Sequence, residues 1–191
     1  MKKLMIVAAA LFLALLIGVG SSYSYLKYFH QSGWITNGPW KTNLGMGLAD
    51  TGMYDRAWTA LFSVFSPSNV NVYYKGYTDE DGEKLQASCN YRIEGKEIDS
   101  RWWSLTAYME DGFLIPNEEK RYSWNKYNFQ NEGNGQFVIN LSKEREEVNW
   151  IPLGDYSGGL SLTLRLYHPG KPFYENPETV ELPKIIKEGC K

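Results

Sequence analysis

Histidine and cysteine are scarce in this chain, with two of each among 191 residues. His30 and His168 have no partner at the spacing of a metal-binding motif, so a histidine-based metal site is not expected. Cys89 and Cys190 lie far apart and form no C-x-x-C pair, which excludes zinc-ribbon and thioredoxin-type motifs. Because a phosphate-binding glycine loop is also absent, we expect neither a bound metal nor a cofactor.

The motifs that mark common enzymes are missing as well. The chain has no G-x-S-x-G nucleophile elbow, and no spacing among its acidic residues singles out a catalytic carboxylate pair. We therefore name no catalytic residue and favour a protein that is not an enzyme. A hydrolase whose catalytic side chains meet only in the folded chain remains an alternative. The acidic residues 79–83 lack the spacing of an EF-hand calcium loop, and we predict a solvated hairpin turn there.

Positive charge is not in excess. The 20 basic residues are outnumbered by 22 acidic ones, the formal net charge is −2, and no basic stripe is visible. A nucleic-acid partner requires a concentrated basic surface, so we expect no nucleic-acid binding.

One long hydrophobic run is present, at the N-terminus. Lys2 and Lys3 precede an uncharged apolar stretch from Leu4 to Gly20. A basic head followed by such a stretch is typical of a secretory signal or a single membrane span.

Four aromatic residues follow the apolar run and favour an uncleaved anchor. They suit an aromatic belt at the membrane interface: Tyr23, Tyr25, Tyr28 and Phe29. We predict that residues 1–29 form a signal anchor with a juxtamembrane stretch, and that residues 30–191 form one domain. The protein would then be a single-pass inner-membrane protein with its globular domain in the periplasm. Cleavage near Gly20-Ser21-Ser22, followed by secretion, is the alternative.

Aromatic residues are abundant, at 15% of the chain, and short runs alternate between apolar and polar side chains. The runs cover residues 70–75, 89–93, 102–109, 136–141 and 160–167, and a further short strand is predicted at 113–115. Alternation of this kind is typical of strands with one buried face. The leucine face of residues 160–166 needs a second apolar face, which a second sheet provides. The predicted fold is mainly β, a jelly-roll-like antiparallel β-sandwich.

One short amphipathic helix is predicted at residues 54–65. Its apolar positions recur at helical spacing: Tyr54, Ala57, Trp58, Leu61, Phe62 and Phe65. The preceding residues 30–50 are predicted to be irregular, with Trp34 and Trp40 as anchors.

The two cysteines suggest a disulfide if the domain is exported. Cys89 lies in a strand-like stretch, and Cys190 is one residue from the end of the chain. A bridge would attach the C-terminal tail to the sheet. Two unpaired thiols are the alternative.

The polar sides of the predicted strands hold the candidate ligand-binding residues. Trp102, Ser104 and Arg165 lie on two of these strands, and Asn117, Arg121 and Tyr122 follow the short strand at 113–115. Together they are expected to line a groove, or else to form the solvated face of the sandwich and its turns.

Several segments resemble a known bacterial family. They are RWWSLTAY at 101–108, DGFLIPN at 111–117, RYS at 121–123, NWIP at 149–152 and LTLRLY at 162–167. Their order and spacing resemble the bacterial domain-of-unknown-function family 1214. The resemblance implies a jelly-roll-like β-sandwich, and it brings neither an established reaction nor agreed catalytic residues.

The chain also resembles a short, membrane-anchored subgroup of that family, which lacks the upstream domain of longer relatives. The features that carry this likeness are the N-terminal span, Gly38-Pro39-Trp40, Cys89, and Leu182-Pro183 before Cys190. Our leading hypothesis is a cell-envelope domain that acts through binding or assembly with a protein or glycan partner. A carbohydrate-binding module with an aromatic platform is an alternative to this hypothesis, as is the hydrolase.

Overall fold

The computed structural model of the chain describes residues 2–25, 33–45, 48, 51–53, 56, 70–130 and 135–190. The described residues fall into two compact units, one within residues 1–33 and 45–68, the other within residues 34–44 and 69–191. Apart from residue 56, the helix predicted at residues 54–65 lies outside the described residues, as do Tyr28 and Phe29.

The described part of the first unit includes one long helix, α1, at Lys2–Ser24. None of its 23 residues is buried, and none carries a charge after Lys3. At a rise of about 1.5 Å per residue the helix is about 34 Å long, which exceeds the roughly 30 Å hydrocarbon core of a bilayer. It is therefore long and apolar enough to cross a membrane.

The second unit is built from short strands, which form two sheets in its described part. The strands are β1 (Ile35–Asn37), β2 (Trp40–Thr42), β3 (Asn71–Gly76), β4 (Cys89–Lys96), β5 (Ser100–Met109), β6 (Ser123–Asn125), β7 (Gln136–Ser142), β8 (Trp150–Pro152), β9 (Leu160–Pro169) and β10 (Lys184–Cys190). One sheet has the order β1-β2-β3-β9-β5-β6 and the other β10-β4-β7-β8. All pairings are antiparallel except that of β7 with β8, which is parallel. A short helix, α2, spans Pro172–Glu175.

The core lies between the two sheets. Leu162, Leu164 and Leu166 of β9 are fully buried, as the alternation in that segment predicts. Trp103 of β5 is also fully buried and stacks on Phe137 of β7, with ring centroids 4.9 Å apart. Because these two rings come from different sheets, the sheets pack face to face. The prediction of a mainly β, sandwich-like fold is confirmed.

Two glycines allow close contacts within this core. A Cβ atom on Gly95 of β4 would lie 2.5 Å from Cζ of its cross-strand partner Phe137. A Cβ atom on Gly76 of β3 would lie 2.8 Å from Cδ1 of Ile185 in the other sheet. Both positions therefore exclude a larger residue unless the neighbouring side chain moves.

The predicted disulfide joins Cys89 to Cys190. The two residues are register partners at the ends of β4 and β10. The bridge therefore fixes the C-terminal strand at the edge of the four-stranded sheet.

Two predictions about local structure are wrong. Residues 113–115 form no strand: only Leu114 pairs, in a single bridge to Tyr108, because Pro116 follows and cannot continue the ladder. Residues 35–42 are not irregular but form the hairpin of β1 and β2. Gly38 supplies the positive φ, +57°, at its turn.

Candidate functional site

One face of the six-stranded sheet carries three of the six predicted ligand-binding residues, namely all those that lie on strands. We call it the polar face, because its residues alternate with the core residues of β3, β5 and β9. It consists of Tyr73, Lys75, Trp102, Ser104, Thr106, Tyr108, Thr163, Arg165 and Tyr167. Three of the predicted residues are thereby brought to one face, since Ser104 pairs with Arg165 and Trp102 lies two residues before Ser104.

Arg165 is held in a defined position at the centre of the polar face. Its Nη1 donates to Thr106 Oγ1 at 3.1 Å, and its Nη2 donates to the Tyr108 hydroxyl at 2.6 Å. The guanidinium carbon also lies 5.5 Å from the centroid of the Tyr108 ring, within cation–π range. Two hydrogen bonds and a ring contact leave the side chain little rotational freedom, so its charge is preorganised.

The short polar side chains of this face are covered. Ser104, Thr106 and Thr163 are only 4–6% exposed, whereas Arg165 is half-buried. The polar face therefore differs from an ordinary solvent-exposed sheet surface, because these short polar side chains are shielded from solvent.

Aromatic rings flank the arginine on one side. Trp102 and Tyr167 meet edge to face with centroids 5.1 Å apart, and Tyr73 meets Tyr167 at 6.2 Å. On the other side burial, and secondarily the charge of Arg165, lowers the pKa of Lys75. The polar face thus combines two cations with half-buried rings.

The other three predicted residues lie elsewhere, in the loop that follows Pro116. Asn117 Nδ2 donates to the carbonyls of Ile115 and Arg121, both at 3.0 Å, and its Oδ1 accepts from the Arg121 N–H at 3.0 Å. The Arg121 guanidinium lies over the Trp124 ring, 5.0 Å from its centroid. The Tyr122 carbonyl accepts from the Ala107 N–H at 3.3 Å. These contacts hold the loop in shape.

A groove of about 570 Å³ runs beside this loop. We call it the rim groove. It is lined by Pro116, Asn117, Glu118, Glu119, Lys143, Trp150, Pro152, Gly154 and Asp155. Its residues come from segments some 30 positions apart, so the alternation of single strands gave no signal for it. The sequence indicated these positions only through the segments DGFLIPN at 111–117 and NWIP at 149–152, which carry the family resemblance.

The walls of the rim groove are fixed by the backbone. Gly154 has a φ of +52°, and a Cβ atom there would collide with the carbonyl oxygen of Pro116. Trp150 is only 7% exposed and its Nε1 donates to the Ser142 carbonyl at 3.1 Å. The groove therefore exists without any rearrangement of the surrounding chain.

Asn149 anchors the segment that leads into Trp150. It is buried with a φ of +46°. Its Nδ2 donates to the carbonyls of Gln130 and Val138, both at 2.8 Å, and its Oδ1 accepts from the Gln130 N–H at 2.7 Å. Asparagine tolerates this backbone conformation better than most residues.

A second groove, of about 420 Å³, lies on the four-stranded sheet, and four of its five charged lining residues pair with one another. Arg92 meets Glu94 at 2.8 Å, and Lys96 meets Glu181 at 2.8 Å. Because most of these charges are neutralised by ion pairs within the groove, it is a weaker candidate for a charged ligand.

Sequence reasoning missed one buried acid. Residues 80–83 of the predicted solvated turn are exposed, but Asp79 is only 2% exposed. Its Oδ1 accepts from the N–H groups of Asp81 and Glu83 at 3.1 and 2.9 Å, and Lys187 Nζ lies 3.9 Å from its Oδ2. A hydrogen bond to Glu83 is the main cause that raises the pKa of Lys187. The turn is thus a structural connection to β10.

The described residues contain no group of three or more His, Cys, Asp or Glu side chains placed to hold a metal ion. Among the described residues, the polar face and the rim groove are the best-formed candidate sites.

Comparison with known proteins identifies a family but no activity. The family described as "Protein of unknown function (DUF1214)" matches residues 70–171. No curated protein sequence matches the chain significantly.

Several solved structures are similar to this chain, among them the following two. The crystal structure of the VPA0106 protein from Vibrio parahaemolyticus has a TM-score of 0.60 at 22% identity, over 73% of this chain and 36% of that one. A putative uncharacterized protein from Burkholderia cenocepacia has a TM-score of 0.42 at 16% identity, over 63% of this chain and 30% of that one. The chain thus spans about a third of the length of either protein, and the likeness to the first shows a shared fold. With more than half of its residues matched by one family, the chain belongs to the DUF1214 family of proteins of unknown function.

Proposed function

We propose that this chain is a single-pass inner-membrane protein whose β-sandwich acts in the periplasm as a binding or assembly domain, without catalysis. In this proposal residues 1–29 are the anchor and juxtamembrane stretch, and residues 30–191 are the exported domain. The proposal also places the chain in a membrane-anchored subgroup of its family. The exposed apolar helix α1, which begins with Lys2 and Lys3, supports it, because basic residues favour the cytoplasmic side of a span.

The observation that carries the location is the Cys89–Cys190 disulfide. Disulfides persist in oxidising compartments such as the periplasm and are rare in the cytosol. The apolar helix and the disulfide are independent features of the chain, and both favour export.

The polar face supports binding as the activity. Its arginine is oriented by Thr106 and Tyr108 before any ligand arrives, which lowers the entropic cost of binding. We assign Trp102, Ser104 and Arg165 to ligand contact. Asn117, Arg121 and Tyr122 are assigned to shaping the adjacent loop, since their contacts lie within it.

Protease access in cells tests the location. Proteinase K should degrade the domain in spheroplasts but not in intact cells, while a cytosolic control protein survives in both. A domain that survives in spheroplasts would overturn the proposal. A soluble periplasmic product whose N-terminus lies near Tyr23 would instead favour the secreted form.

Site-specific crosslinking tests the binding. A photo-crosslinking amino acid at position 102 should yield a discrete adduct in growing cells. The matched control is position 127, because Tyr127 is 76% exposed and lies outside the polar face. Equal adducts at both positions, or none at position 102, would count against a binding role for the polar face.

A glycan is the second candidate ligand, favoured by the cluster of Trp102, Tyr167 and Tyr73 rings beside Arg165. Aromatic rings pack against the apolar faces of sugars, and a nearby cation orients polar groups. The full-length protein in detergent should bind specific envelope glycans on an array. Trp102→Ala should abolish this binding, whereas Tyr127→Ala should retain it. An array without signal would remove this candidate.

A further inference from the structure

We propose that the rim groove binds a lysine or arginine side chain presented by a protein partner. This inference rests on the proposed binding function and specifies that one partner presents a basic side chain. The rim groove is a different surface from the polar face.

The charge of the rim groove favours a cation. Among the described residues that line it, Glu118, Glu119 and Asp155 meet one opposing charge, that of Lys143. Glu118, Glu119 and Asp155 are exposed. Within the described part of the chain, Glu118 and Asp155 make no hydrogen bond or ion pair, and Glu119 meets Arg145 only at 4.0 Å. The rim therefore offers two carboxylates, those of Glu118 and Asp155, that no ion pair within the described residues neutralises.

The floor of the groove suits the aliphatic part of such a side chain. Pro116, Trp150 and Pro152 line the groove together with the carboxylates and give it part of its apolar surface. Lysine and arginine place their methylene stems on apolar surfaces while their charged ends reach polar groups. A neutral apolar ligand would leave the carboxylates without partners, and an anion would meet like charge.

The size and rigidity of the groove set the scale of the ligand. About 570 Å³ lies within the range of pockets that hold ligands of a few hundred daltons. This corresponds to one basic side chain with its flanking residues. Since the Gly154 and Pro116 backbones fix the wall, binding requires no prior ordering of the loop.

Fluorescence anisotropy with the full-length protein in detergent tests this inference. The probe is a labelled Gly-Leu-Arg-Leu-Gly peptide, and the comparison peptide carries neutral citrulline in place of arginine. We expect the arginine peptide to bind and the citrulline peptide to bind at least fivefold more weakly. Glu118→Gln and Asp155→Asn should each weaken binding about threefold, the scale of one exposed charge pair. Lys143→Gln should strengthen it.

The matched control separates the groove from general attraction between opposite charges. Glu175→Gln removes one exposed carboxylate of α2, outside the groove, and changes the net charge equally. It should leave the affinity unchanged. Equal weakening by Glu175→Gln, equal affinity for both peptides, or no binding at millimolar peptide would overturn the proposal. So would a shift of the protein to a dimer that Glu118→Gln abolishes, because the occupant would then be a second copy. Protease access tests export and photo-crosslinking at position 102 tests the polar face, whereas the peptide titration tests only the rim groove. A failure of one proposal is therefore distinguishable from a failure of the other.

Discussion

Replacing both cysteines with serine is expected to destabilise the sandwich by about 3–4 kcal/mol. The bridge closes a loop with a sequence separation of 101 residues. In the chain-entropy model such a loop restricts the unfolded chain by about 4.7 kcal/mol at 25 °C. The measured loss should be smaller than this, because denatured chains retain residual structure.

The rest of β10 should stay in place when the bridge is removed. Ile185 is fully buried, and Lys187 pairs with Glu83 and lies near Asp79. The effect of the double variant should therefore come mostly from the unfolded chain and only slightly from lost native contacts.

Guanidinium titration of the full-length protein in detergent, followed by tryptophan fluorescence, measures this effect. Cys89→Ser/Cys190→Ser without reductant and the wild type with reductant should unfold at the same, lower denaturant concentration. Ser88→Ala, an exposed neighbour of the bridge, is the control and should match the oxidised wild type. A loss below about 1 kcal/mol would refute the loop-entropy reasoning.

Three further predictions concern the core and the loops. Gly95→Ala should lower the free energy of unfolding by about 1–3 kcal/mol, because the added Cβ would overlap the Phe137 ring. Gly189→Ala should leave the free energy of unfolding unchanged in the same titration, because the space around Gly189 is open. Burial, with a smaller effect of Glu178, raises the pKa of Tyr74 well above its ordinary value of about 10. The neutral Tyr74 hydroxyl therefore contributes its full stabilisation below pH 10. Above pH 10 the free energy of unfolding should fall by up to about 1.4 kcal/mol per pH unit, because the unfolded chain releases this proton more readily than the folded one. Tyr74→Phe should make the free energy of unfolding less dependent on pH between pH 9 and 11.5. An unchanged pH dependence would contradict the raised pKa of Tyr74. Asn149→Ala should lower the free energy of unfolding by about 3 kcal/mol or more, since it removes three hydrogen bonds and places alanine at a positive φ. Asn149→Gly should recover the part of this loss that comes from backbone strain.

The architecture was predictable wherever the alternation of side chains was long. Residues 160–167 showed their buried leucine face directly, because a period of two assigns each residue to one side of a sheet. The hairpin of β1 and β2 was missed because each strand has only three residues. Its one signal was Asn37-Gly38, a pair that favours tight hairpin turns.

The candidate site was predictable only in part. Alternation assigned Trp102 and Ser104 to one side of their strand, but the pairing of β5 with β9 decides that Arg165 lies beside them. The rim groove depends on the approach of Gly154 to Pro116, a contact between distant segments that no local pattern encodes. Asp79 was misplaced because its burial comes from packing against β10.

The intact mass of the native protein, alkylated with iodoacetamide without reductant, tests export and tethering together. The expected result is one species in the membrane fraction that retains residues 1–29 and carries no alkyl group on Cys89 or Cys190. Recovery of the chain from the cytosol with both cysteines alkylated would contradict an exported, disulfide-closed domain.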